Sequence, residues 1–209
     1  SQEEVYNQVV ADLQAAEASG LSWTDGTGRA SLGAVKSLLA KVYLTMAGFP
    51  LNKGASHYTL AKDKANEVIA SNQFELFDSY DKLHNTDFEN QGEHIFQIQF
   101  LVGVADNPMQ AAMLPNFKGV SQYGTEVGSQ IPTKQFYESF EAGDKRTIDR
   151  VGFFYTHYYE EGSGALKNLS APYIFKHFDV KAHGTSGVTG TGNSSLNWPQ
   201  IRYAEVLLI

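Results

Sequence analysis

The sequence contains no cysteine, which removes thiol nucleophiles, disulfides and thiolate metal sites. That absence leaves the compartment open, since exported proteins also exist without disulfides. There is no signal peptide and no apolar run long enough to cross a bilayer. Basic residues are few: 16 Lys and Arg against 23 Asp and Glu give a net charge of −7, with no Lys/Arg cluster. Nucleic acid is therefore excluded as an expected partner, because phosphate binding needs a basic surface. Metal and catalytic spacings are missing as well. His57, His84, His94, His157, His177 and His183 never form an HExxH or similar close pair, and His94 reads as an edge residue at the start of a strand. Asp87 to Gly92 opens like a calcium loop, but position twelve is Ile98, where a bidentate Glu is required. Gly190-Thr191-Gly192-Asn193-Ser194-Ser195 has no preceding strand and reads as a flexible loop rather than a phosphate cradle. Ser163 and Ser186 lack a G-x-S-x-G elbow. Glu160 and Glu161 are adjacent and read as a solvated acidic turn, unlike the opposed carboxylates of a glycosidase. The expectation is a protein with no cofactor, no metal and no catalytic activity.

What is present is a chain of 209 residues, 42% hydrophobic and 12% aromatic, enough for one domain with a real core. It is organised around Ala30 to Gly48. There Leu32, Val35, Leu38, Leu39, Val42, Tyr43 and Met46 recur at spacings of three and four, the stripe of an α-helix. Ser31 supplies an N-cap, Gly48 a left-handed end, and Pro50 blocks propagation. Ala34, Ala40 and Ala47 leave room for a neighbouring helix, so packing on both sides is expected. A second pattern follows in Tyr58, Ala61, Ala65, Val68 and Ile69, and the last nine residues echo the first helix when Ala204 is laid over Ala40. This is the tetratricopeptide cadence, with an insertion of about nine residues relative to a 34-residue repeat.

In chain order, Ser1 to Glu4 fits a capping box, and Val5, Val9, Leu13 and Ala16 form a buried stripe ending near Gly20. Phe74, Leu76 and Phe77 tuck back against the helices, and Trp23 and Trp198 flank helix starts as packing residues. His94 to Phe100 alternates, with Phe96, Ile98 and Phe100 inward and Gln97 and Gln99 outward. Residues 101–131 form a long irregular excursion. Thr133 caps a short helix with Phe136, Tyr137 and Phe140 that ends at Gly143. Strands are expected at Val151–Tyr159 and Tyr173–Phe178, a polar loop at 182–196, and a closing helix from Ile201 in which Arg202 pairs with Glu205. Ser1 opens directly into a helix and Ile209 closes inside an apolar pattern, so the sequence reads as an excerpt of a longer protein. At least two of Val206, Leu207, Leu208 and Ile209 are then expected to be exposed.

Four stretches now carry a resemblance. They are Gly28-Arg29-Ala30-Ser31 leading into LLAKVYLTMAG; Tyr58 through EVIAS to Phe74-Glu75-Leu76; Glu93 to Ile98; and Trp198-Pro199-Gln200-Ile201-Arg202-Tyr203-Ala204-Glu205-Val206-Leu207-Leu208. With Asp144 and Arg146 as a D-x-R, they resemble the SusD/RagB family of surface glycan-binding lipoproteins of Bacteroidetes. The resemblance implies a mainly α fold of tetratricopeptide-like pairs packed against a loop-rich region with a few short strands. On it, residues 1–209 are a central fragment of one SusD-like domain: 1–80 the helical repeat, 81–200 the irregular ligand side, and 201–209 the start of a further repeat helix. It also implies non-catalytic binding of a glycan or other nutrient, delivery to a SusC-like TonB-dependent transporter, and a surface-exposed outer-membrane location through a lipid anchor outside this chain. The alternative, from the repeat cadence alone, is a helical-repeat adaptor that binds a protein.

A sugar ring offers a C–H face and an equator of hydroxyls, and is held by a flat aromatic with amide or hydroxyl partners. The excursion at 103–130 supplies both in Asn107, Asn116, Phe117, Gln122 and Tyr123. Tyr123 is the expected stacking platform, with Asn107 and Asn116 as hydrogen-bonders and Tyr155 or Tyr158 as a second platform. Core packing is the competing expectation for Phe117 and for the aromatic run at 153–159.

Overall fold

The computed structural model describes residues 1–113, 130–159, 165–179 and 194–209. The chain divides into two compact units. The helical unit takes in Ser1–Leu76, Glu89–Ile98 and Pro199–Ile209; the loop-rich unit takes in Phe77–Phe88 and Gln99–Trp198.

The helical unit is built on α1 (Gln2–Glu17), α2 (Leu32–Ala47) and α3 (Ala55–Ala70). The capping box forms: Ser1 Oγ accepts from the Glu4 N–H, and the Glu4 side chain reaches back to the chain start. Ser31 likewise caps α2, accepting from the Ala34 N–H at 3.2 Å. α2 is buried on both flanks, with Leu39 and Ala40 wholly inaccessible. One flank joins Val35, Leu39, Tyr43 and Met46 to Ala61 of α3 and to Tyr6, Val10, Leu13 and Ala16 of α1. The other joins Ala34 and Ala40 to Ala65, Val68 and Phe74. Alanines at these positions let α2 and α3 approach closely, as the sequence pattern predicts. Gly33 is used more strictly: a Cβ there would lie 2.4 Å from the Phe74 ring and 2.9 Å from the Trp23 carbonyl.

Four charged residues tie the three helices together. Lys36 bonds to both Glu17 and Glu67, and Lys64 reaches Glu17 at 2.7 Å and Glu67 at 2.9 Å. Burial alone would raise the Glu17 and Glu67 carboxyls, but hydrogen bonds from the two lysines outweigh it and hold both below the ordinary range.

Several local expectations are corrected. Gly48 ends α2 in extended backbone (φ −91°), and the positive-φ positions of the loop that follows are Asn52 (φ 51°) and Gly54 (φ 66°). Val5 is 63% exposed, because α1 packs through Tyr6 and Val10. Leu76 is exposed rather than tucked in. β1 (His94–Ile98) departs from the expected alternation: Phe96 packs partly against the core as expected, but Ile95 also enters it, Gln97 is buried and Ile98 is exposed. Gln97 earns its inward place because its Oε1 accepts from the Asn90 N–H at 2.7 Å. His94 is buried, not an open edge.

The closing segment differs too. Trp198–Arg202 is a strand, β4, paired with β1, and the helix α6 begins only at Tyr203. Arg202 does not pair with Glu205. It reaches Glu93 at 2.6 Å, while Glu205 bonds Lys41 at 2.7 Å. Ile201 and Val206 enter the core, and Leu207 and Leu208 are exposed.

In the loop-rich unit, α4 (Met109–Met113) and α5 (Lys134–Glu138) are single turns. Thr133 caps α5, accepting from the Phe136 N–H at 3.2 Å. β2 (Phe154–Tyr159) pairs antiparallel with β3 (Leu166–Ile174), with a register shift between Tyr155 and His157. The second expected strand is thus displaced: pairing ends at Ile174, and Phe175 to Phe178 form a turn in the core.

Candidate functional site

The loop-rich unit contains a cleft of about 710 Å³. Its walls are largely aromatic, for reasons visible in the local sequence. Phe136 lies one helical turn from Phe140, and both rings pack edge-on against Phe154. Phe154 is itself buried, so it backs the wall, whereas Phe136 is 54% exposed and presents its ring. Met109, Met113 and Ile174 add aliphatic surface. Trp198, half-buried, stacks on His177 with ring centres 4.4 Å apart and planes 24° apart.

Polar groups enter this apolar frame at Gln130, Arg146, Lys176 and His177. Arg146 is held by a compact turn. Asp144 Oδ1 accepts from the Arg146 backbone N–H and from its Nε, both at 2.9 Å. The guanidinium lies over the Phe140 ring, 4.6 Å from its centre. Hydrogen bonding from Arg146 pushes the Asp144 carboxyl down to about 2, and the same pairing raises Arg146. Gly152 packs where no side chain fits: a Cβ there would meet the Arg146 carbonyl oxygen at 2.2 Å. The following N–H, of Phe153, donates to that oxygen at 2.7 Å.

The predicted ligand residues meet different fates. Asn107 is 4% exposed, and its side chain closes the loop internally. Its Nδ2 donates to the Leu196 carbonyl at 2.7 Å and its Oδ1 accepts from the Met109 N–H at 3.0 Å. Those bonds leave it no role at a surface. Tyr155 is 1% exposed, packed among Tyr173, Phe175 and Phe178, and so is a core residue rather than a stacking platform. Its burial pushes the phenol upward. The reason is that both faces of β2 are covered, one by the rings around α5 and the other by the turn after β3. Tyr123 and Asn116, with Phe117 and Gln122, lie outside the described residues, as does the side chain of Tyr158.

Sequence reasoning missed the cleft's own residues. Trp198 reads as packing beside a helix start, and Phe136 and Phe140 only as residues carried on a short helix. The signal that was available is Asp144-x-Arg146, noted only as part of a pattern. Among the described residues, no group of three His, Cys, Asp or Glu side chains converges on a metal position, and no helix is long and apolar enough to cross a membrane.

No family model matches the chain. A SusD superfamily protein from Parabacteroides distasonis is 43% identical, with a TM-score of 0.88, covering 99% of this chain and 44% of its own. SusD-like protein P2 of Formosa agariphila is 26% identical over 225 residues, covering 99% of this chain and 42% of that protein. A structure solved with a xylogluco-oligosaccharide is 23% identical, with a TM-score of 0.72, covering all of this chain and 44% of its own. The chain thus spans less than half the length of the relatives it matches. Over 99% of its own length the chain shares the fold of a SusD superfamily protein.

Proposed function

We propose that this chain contributes a glycan-binding surface to a non-catalytic nutrient-binding protein. The observation that carries the reading is the cleft, where the exposed ring of Phe136 and the half-buried ring of Trp198 stand beside the hydrogen-bonding groups of Gln130, Arg146 and His177. Such a surface suits a ring with apolar faces and a polar equator, and a volume of about 710 Å³ accommodates a short oligosaccharide. The relative solved with a xylogluco-oligosaccharide shares this fold and supports the reading. The protein would act at the outer-membrane surface, held there by a lipid anchor outside this chain, and pass its ligand to a SusC-like TonB-dependent transporter. Tyr123, Asn116 and Tyr158 stand within this proposal as further contacts drawn from the sequence.

The test is isothermal titration of the full-length protein with an oligosaccharide panel, before and after Trp198→Ala. Loss of a stacked aromatic should weaken binding roughly tenfold, by analogy with stacking of about 1–3 kcal/mol on aromatic platforms. Unchanged affinity in a folded Trp198→Ala protein would move the ligand elsewhere. Copurification of the transporter from native membranes tests the partner, and recovery of a soluble protein partner through the helical unit would favour the adaptor alternative instead.

A further inference from the structure

We infer that the cleft selects saccharides carrying negative charge, as carboxylate or as sulfate ester, through Arg146 and Lys176. The inference deepens the glycan-binding reading and rests on it. The chain as a whole is acidic, at −7, yet among the described residues that line the cleft the charged ones are Arg146 and Lys176, both cationic. A concave, apolar wall focuses the field of such charges toward the ligand position.

The placement of both cations is built rather than incidental. Phe153 connects them: its N–H donates to the Arg146 carbonyl at 2.7 Å, and its carbonyl accepts from the Lys176 N–H at 3.3 Å. Its ring then lies under the Lys176 ammonium, 5.0 Å from centre to nitrogen. On the other side, the Lys176 carbonyl accepts from Nδ1 of the fully buried His84. Gly152, which admits no Cβ, completes the seat of Arg146.

The Asp144–Arg146 pair is oriented as well as formed. Nε and Nη2 face the carboxylate, which does not line the cleft, and Nη1 has no partner among the described residues. The cleft therefore meets the cationic pole of the pair. A guanidinium with a free edge donates to two oxygens of a carboxylate or sulfate at once, and such charge-assisted bonds are about twice as strong as bonds to neutral hydroxyls. Phe136 and Trp198 supply the surface for the sugar ring itself.

The experiment titrates full-length protein with three oligosaccharides of similar length: an oligogalacturonate, a sulfated galactan oligosaccharide and a neutral xylogluco-oligosaccharide. At least one charged ligand should bind about tenfold more tightly than the neutral one, and its advantage should shrink as salt is raised. Preference for the uronate alone assigns a carboxylate ligand, and preference for the sulfated galactan alone assigns a sulfate ester. Arg146→Gln and Lys176→Gln should each reduce affinity for the charged ligand about tenfold more than for the neutral one, with thermal unfolding confirming the fold. The salt dependence needs no variant, so it decides the matter even if a variant misfolds. Equal or tighter binding of the neutral oligosaccharide overturns charge selection while leaving glycan binding intact. Binding of none of the three counts against both.

Discussion

The two units of this chain hold themselves together by different means. The helical unit relies on periodic apolar side chains: α2 is clamped between α1 and α3, and residues as far apart as Ala40, Val68, Ile95 and Val206 meet in one cluster. The loop-rich unit has short elements and relies on buried polar side chains that bind backbone. Asn107 joins 107 to 196, Ser194 Oγ accepts from the Leu196 N–H at 2.8 Å, the partly buried Asp149 accepts from the Thr156 N–H at 2.7 Å, and Asn197 accepts from the Phe100 N–H at 2.7 Å. Repeating helices bury surface with their own backbone bonds already made, whereas irregular backbone must find its partners one at a time. The cleft lies in the unit of the second kind, where side-chain identity is not dictated by a repeating face.

This contrast can be broken by mutation. The largest effect is expected at Leu39, which is wholly buried in the α1–α2–α3 packing. Leu39→Ala should destabilise the protein by about 2–5 kcal/mol, read from the urea midpoint, with the spread set by how far the helices collapse into the cavity. A loss under about 1 kcal/mol would show that the helical unit does not depend on that interlock.

The loop-rich unit should instead reveal itself through acid. His84 is fully buried against Phe175, and burial pushes its imidazole down to about 4 from an ordinary 6.5. Between those values the unfolded chain takes up a proton that the native state refuses. Stability is therefore complete above about pH 6.5 and falls as pH drops toward 4, by up to about 3 kcal/mol. Denaturation at pH 7 and pH 4.5 measures this, and His84→Gln, which keeps a donor for the Lys176 carbonyl, should flatten the decline. An undiminished acid loss in that variant would assign it to other groups.

The smallest effect sharpens the comparison. The Tyr155 hydroxyl is buried with no hydrogen-bond partner among the described residues. Tyr155→Phe removes a desolvated polar atom and should change stability by less than about 1 kcal/mol, in the stabilising direction. A loss above about 2 kcal/mol would mean that the hydroxyl does have a partner, and that the aromatic core of this unit also depends on polar closure.

By itself, the sequence determined the helices and the likeness to the SusD superfamily. Ser1, Ser31 and Thr133 cap where their hydroxyls and spacing say they should, and the alanines of α2 and α3 mark close helix contact, because these features depend on neighbours three or four residues away. What only tertiary structure decided is which side of an irregular segment faces inward. Gln97 is buried because the Asn90 N–H awaits it, Asn107 closes a loop across 89 residues of sequence, and Tyr155 is covered by a turn twenty residues away. Arg202 finds Glu93 across the β1–β4 pairing rather than Glu205 within its own segment. The cleft belongs to the same class: Phe136, Arg146, Lys176 and Trp198 share no period and no motif, and they become one surface only when loops far apart in sequence are fastened by hydrogen bonds that no local pattern announces.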